Sequence, residues 1–195
     1  MNKVITYMET KYGEDFSLTG PFNGQFGKNY AMYELETADK QKGRILVRRM
    51  QADGKELLQD NYLAILLQTQ IEDRIRVLAE EIFGICAVEY QVPELVFPAE
   101  FSADMTVEKF LQNKDSMIKV TVYVEKSSLE RAEREAAVQR FLKNLRTRAY
   151  IVGGVLVFAD GEYVIFSLNE NVDVRYLEWR KMRGEQRKGK AAFGN

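Results

Sequence analysis

The sequence predicts an α+β fold, a mixed and mostly antiparallel sheet with helices packed against it. Three observations lead there. Apolar residues recur at helical spacing in some segments and alternate strictly in others. Neighbouring alternating segments are joined by short Gly-containing turns, which favour antiparallel pairs. The two kinds of segment follow the order α-β-β-α-β-α-β-α-β-β-tail, which is not the regular alternation of a doubly wound fold.

Val4, Met8 and Tyr12, with Ile5 and Tyr7 beside them, define a short amphipathic helix, and Gly13 is a natural stop. A Gly- and aromatic-rich loop follows, from Gly20 to Gly27. Ala31, Tyr33 and Leu35 alternate with Met32, Glu34 and Glu36, the pattern of a strand with one buried face. Arg44–Met50 reads as its antiparallel partner, and Asp53-Gly54 as a tight turn. Asp60 is placed to cap the longest helix, Asn61 to Phe83, which carries the stripe Leu67, Ile71, Ile75, Leu78 and Ile82 and closes at Gly84. On its outer side Glu72–Arg76 and Arg76–Glu80 stand four apart.

Val88, Tyr90 and Val92 form the inward face of a strand ended by Pro93. Glu94–Ala103 has no period, and a short helix carrying Val107, Phe110 and Leu111 follows, capped by Asp104 or Thr106. Ile118, Val120, Val122 and Val124 alternate with Lys119, Thr121, Tyr123 and Glu125, a clean strand. Ser127 and Glu130 have capping-box spacing and open a helix running to Arg148. Tyr150–Ala159 and Glu162–Leu168 are nearly continuous apolar runs joined by Asp160-Gly161, which predicts a hairpin central in the sheet with both faces covered. In the tail, Val172, Tyr176, Trp179 and Met182 or Arg183 fit one stripe of a helix.

This order suits a single α+β domain over residues 1–172, with a subdivision near 94–103, followed by a basic C-terminal helix or tail over 173–195. Charge supports the division. Residues 175–195 hold seven basic side chains against Glu178 and Glu185, whereas the whole chain carries −1, so the body is acidic.

The chain has no histidine and one cysteine, Cys86. A Ser-His-Asp relay, a Cys-His pair, a His-built zinc site and a CxxC redox centre are thereby excluded. Cys86, beside Ile85, Ala87 and Val88, reads as a small buried hydrophobe. Metal binding would need an all-oxygen site, and the Asp-x-Asp-x-Asp-Gly spacing is absent. The glycine-rich loop fails as a phosphate loop, because Gly27-Lys28 is followed by Asn29 and preceded five residues earlier by Phe22. Glu34 and Glu36 share a wet strand face, while Glu130, Glu133 and Glu135 pair with Arg131 and Arg134 along a solvated helix. No cofactor and no metal is expected, and no catalytic residue is assigned.

Two segments carry a resemblance, Tyr7-Met8-Glu9-Thr10-Lys11-Tyr12-Gly13-Glu14-Asp15-Phe16 and Asp60-Asn61-Tyr62-Leu63-Ala64. They resemble uncharacterised small α+β proteins of Gram-positive bacteria, in which a similar YMExKYGExF helix stands ahead of a hairpin and a DNY helix start. The resemblance covers residues 1 to about 90. It implies the fold class and no particular activity.

The sequence therefore points to a non-catalytic protein-interaction module. Its candidate surface is the aromatic loop, Phe22, Asn23 and Phe26 with Tyr30, or the tail, Trp179, Arg180, Lys181, Arg183, Arg187 and Lys188. A protein partner is expected. Two alternatives stand beside it: nucleic-acid binding through Arg175–Lys190, where basic and aromatic side chains mix, and an enzyme using carboxylate, Tyr or Lys groups gathered from distant positions. No run reaches the roughly 18–20 apolar residues of a membrane span. Met1–Glu9 has one basic residue and too short an apolar stretch for a secretion leader, so a cytoplasmic protein is expected; with a leader removed, the same chain would suit an extracellular lipoprotein-type ectodomain.

Overall fold

The computed structural model describes residues 3–19, 29–39, 43–125, 131–168 and 174–181. The chain divides into two compact units, Met1–Gln68 with Val92–Phe110, and Thr69–Gln91 with Leu111–Asn195. The fold is α+β, and the predicted elements occur in the predicted order with three strands added, β1, β4 and β9.

The first unit holds helix α1 (Lys3–Tyr12) and a four-stranded antiparallel sheet in the order β1 (Phe16–Leu18), β2 (Tyr30–Thr37), β3 (Ile45–Ala52) and β4 (Lys55–Asp60). The β3–β4 turn is Asp53-Gly54, both at positive φ, as a two-residue turn matched to strand twist requires. Val4 and Met8 of α1 are buried with Phe16, Leu35, Ile45, Val47, Tyr62 and Ile65. The periodless stretch after Pro93 contributes two buried rings, Phe97 and Phe101, stacked at 5.3 Å, and Phe110 stands edge-on to both.

Helix α2 spans Tyr62–Phe83. Asp60 is the last residue of β4, and its carboxylate accepts the Tyr62 N–H as the expected cap, while the helix begins one residue later than expected. Asn61 pins the same junction, accepting from the Leu46 N–H at 2.8 Å and donating to the carbonyl of Arg44.

The second unit carries a five-stranded sheet in the order β5 (Cys86–Tyr90), β6 (Ile118–Val124), β7 (Val152–Phe158), β8 (Glu162–Leu168) and β9 (Val174–Lys181). Only β6 and β7 run parallel, joined through helix α4 (Arg131–Thr147); the short helix α3 (Val107–Gln112) precedes β6 in the chain. At the β5 margin, Glu72 of α2 accepts the Tyr90 N–H at 3.0 Å, so a side chain covers an otherwise open donor. Of the two pairs read for Arg76, the one with Glu80 forms at 3.4 Å, and Asp73 at 2.7 Å stands in the place expected of Glu72.

Three readings of the sequence are corrected here. Val174–Lys181 is a strand and not a helix, because it completes a ladder along β8 from Glu162↔Lys181 to Leu168↔Val174, satisfying main-chain groups that a helix would leave unpaired. The hairpin β7–β8 is not covered on both faces. Val152, Leu156, Phe158, Val164, Phe166 and Leu168 are buried, while Val155, Val157, Tyr163 and Ile165, of the other parity, are half-exposed. Arg134 is not on a solvated helix face: it is 7% exposed and donates to Asp160 (2.8 Å) and Glu162 (2.9 Å), with its guanidinium over the Phe158 ring.

Candidate interaction face

The densest polar constellation among the described residues joins the two segments quoted above for their resemblance. Asp60, 2% exposed, receives four donors: Tyr7 Oη at 2.9 Å and Lys11 Nζ at 2.7 Å on Oδ2, Tyr12 Oη at 2.6 Å and the Tyr62 N–H at 3.0 Å on Oδ1. Residues four and five apart on α1 lie on one side of the helix, which brings Tyr7, Lys11 and Tyr12 to a single carboxylate. Tyr62 stands edge-on to Tyr12 at 4.9 Å and donates to Glu14 at 2.7 Å. Nothing in the spacing of residues 48 to 53 positions apart announced this cluster. The available signal was the phenol–ammonium–phenol set on one helix, of which only the two phenols were read, as part of its apolar side.

Its chemistry is that of a clamp. Burial first, and then the Asp60 charge and hydrogen bond, push the Tyr7 and Tyr12 phenols well above the ordinary tyrosine value. A phenol working as nucleophile or base needs the opposite shift. Cys86 is equally inert: burial, aided by the charge of Glu80, pushes its thiol up to about 11. Among the described residues no group of three or more Cys, Asp or Glu side chains is gathered to hold a metal ion. A cleft of about 290 Å³ is lined by Glu34, Glu36 and Asp39, where Glu34 pairs with Arg44 at 2.9 Å and Glu36 accepts from Ser17 at 3.5 Å.

A different feature emerges on the second unit's sheet. Its ladders place Ala87, Tyr123, Val157, Tyr163 and Arg180 side by side in one row across all five strands. The next row is Glu89, Thr121, Val155, Ile165 and Glu178, and the third holds Lys119, Gly153, Ser167 and Tyr176. The described side chains at the middle of this outward face are half-exposed and mostly apolar, and Glu89, Lys119 and Arg180 at its margins are exposed. Tyr123 donates to Glu89 at 3.2 Å, holding the aromatic ring against its rim.

Of the residues singled out in the sequence, Phe22, Asn23, Phe26, Arg183, Arg187 and Lys188 lie outside the described residues. Trp179, Arg180 and Lys181 are brought together on β9, opposite Val164, Tyr163 and Glu162. Tyr30 opens β2, its ring 5.8 Å from the Arg48 guanidinium. The apolar outward face was missed because its runs were read as doubly covered.

The chain is thus an α+β protein of two units, with a sealed polar clamp in one and an outward apolar sheet face in the other. No family model and no curated protein sequence matches it. Among solved structures it is similar to the crystal structure of a DUF5037 family protein from Ruminococcus gnavus ATCC 29149, at 17% identity over 80% of this chain and 73% of that one, with a TM-score of 0.40. Among the described residues no helix is long and apolar enough to cross a membrane.

Proposed function

We propose that this chain is a non-catalytic protein-interaction module whose contact surface is the outward face of the second sheet. The observation that carries the reading is the row pair Tyr123–Val157–Tyr163 and Thr121–Val155–Ile165, half-exposed at the centre of a five-stranded sheet. A contiguous apolar patch rimmed by charge is the signature of an interface. The clamped phenols, the buried thiol and the paired carboxylates support the same conclusion from the chemical side.

Nucleic-acid contact through the tail is less well supported. Val174–Lys181 is a strand, so the helical stripe that would have grouped the basic and aromatic residues of the tail does not form there.

Native pull-down with immobilised wild type and an Ile165→Glu variant tests the reading. A protein retained by wild type and lost from the folded variant is the expected result. Equal retention by both, or turnover of a substrate by wild type that Asp60→Asn abolishes, overturns it.

A further inference from the structure

The two glycines at the start of β7 have different reasons to exist. A Cβ on Gly154 would collide with the carbonyl oxygen of Val120, so close approach of the parallel partner β6 demands glycine there. Gly153 has no such constraint. A Cβ there meets its nearest neighbours, the Phe166 carbonyl and Ser167 Oγ, at 3.5 and 3.7 Å, ordinary contact, and its φ is not positive. Glycine within a strand weakens it, and where the fold does not require it, it often marks the close approach of another body. Gly153 lies on the outward face, in the row next to Val155.

We infer that the outward face binds a second copy of this chain, with a two-fold axis crossing β7 at Gly154, so that Val155 of each copy enters the hollow over Gly153 of the other. The inference rests on the reading of this face as the contact surface and names its partner. A knob and a hollow two residues apart on one strand are filled together by one symmetry operation, as an isologous interface requires. The same axis runs along the rows and exchanges the second row with the third. Lys119 then lies beside Glu89 of the partner copy, and Glu89 beside the partner's Lys119. Ile165 lies over the partner's Ser167, large against small. Of the exposed charges on the rim, Glu89 and Lys119 match their own image across the axis, an acid of each copy beside a base of the other.

The size of the face sets the strength. Five strands at ~4.8 Å and about six residues at ~3.3 Å give a plane on the order of 500 Å² per copy. That is below the roughly 800 Å² per partner of a standard stable interface. The dimer therefore dissociates on dilution.

Sedimentation velocity of the full chain over a concentration series is the test, with thermal melting at a dilution that leaves every protein monomeric as the control for folding. Wild type is expected to pass from monomer to dimer as concentration rises. Gly153→Val, which fills the hollow with a strand-favouring residue, raises the dissociation constant about tenfold or more without lowering the melting temperature. Lys119→Glu and Glu89→Lys each weaken the dimer, and the two together restore it; both sites are exposed, so this arm does not depend on how the core tolerates change. A wild type that stays monomeric overturns the inference, as does a dimer indifferent to Gly153→Val and to both charge reversals. Loss of a captured protein on Ile165→Glu with a monomeric wild type would retain the face as an interface and reject only the second copy. A monomer whose captured proteins ignore Ile165→Glu would reject both.

Discussion

The phenol of Tyr12 donates to the carboxylate of Asp60 across 2.6 Å, linking the end of the first helix to the last residue of β4, two positions before the longest helix. With Tyr7 and Lys11 on the other oxygen, the bond fixes α1 at the junction where β4 becomes α2. The apolar grip of α1 is small, with Val4 and Met8 its buried residues, so this polar group holds much of the helix.

Asp60→Ala removes the acceptor and leaves the Lys11 ammonium, 13% exposed, without its carboxylate. Losing one member of a buried ion pair costs about 3–5 kcal/mol. The expected result is a fall of that size in unfolding free energy by urea titration, with Lys11→Met less damaging because the two phenols remain to solvate the carboxylate.

Alkali acts on the same group. The Tyr7 and Tyr12 phenols ionise well above 10.0 in the folded chain and near 10.0 when unfolded. Above that pH the unfolded chain sheds protons that the folded chain keeps, so the stability is full below pH ~10 and falls as pH rises beyond it. The urea midpoint should drop between pH 9 and 11, and the drop should be shallower in Tyr7→Phe/Tyr12→Phe, which starts lower.

Neighbouring glycines should answer oppositely to alanine. Gly154→Ala drives a Cβ into the Val120 carbonyl and must part the parallel pair β6–β7. Gly153→Ala meets ordinary contacts and removes unfolded-chain entropy. Melting curves should show a loss of about 3 kcal/mol or outright misfolding for the first, and a gain of about 0.5–1 kcal/mol for the second.

Arg134 bridges α4 to the β7–β8 turn. Burial works to raise the Asp160 carboxyl, yet hydrogen bonding and charge from Arg134, with the Glu162 amide, hold it below the ordinary carboxylate value. Arg134→Leu should cost roughly 2 kcal/mol at neutral pH. Part of that difference should vanish as acid protonates Asp160 and the wild type loses its own advantage, which denaturation at pH 3 and pH 7 would show.

Cys86 should resist thiol reagents. At pH 8 a thiol pushed up to about 11 is almost wholly protonated, and the side chain is buried as well. Labelling should proceed at the rate of local opening and turn rapid only in denaturant.

Much of this architecture was legible. Ile118–Val124 alternates cleanly, and Asp160-Gly161 makes the hairpin it announced. The turn at Asp53-Gly54 was legible too, but β4 was not, because Lys-Glu-Leu-Leu-Gln-Asp neither alternates nor carries β-branched residues. β9 was misread since Tyr176 and Trp179, three apart, suit a helical stripe; only the ladder with β8, a long-range relation, decides for the strand. The Asp60 cluster was invisible for a different reason. Its members are ordinary residues at ordinary spacings, and they acquire meaning only when positions 48 to 53 apart fold together. The outward face lay in between: its residues were noticed, and their exposure was not.

The boundaries at Gln68/Thr69, Gln91/Val92 and Phe110/Leu111 have a consequence for how the molecule is made. Each unit is stitched from two stretches of chain, so no single cut yields either one whole. The ribosome delivers the first sheet early, yet Phe97, Phe101 and Phe110 emerge only after α2 and β5 have been synthesised. The half born first must wait, incomplete, for its last aromatic rings.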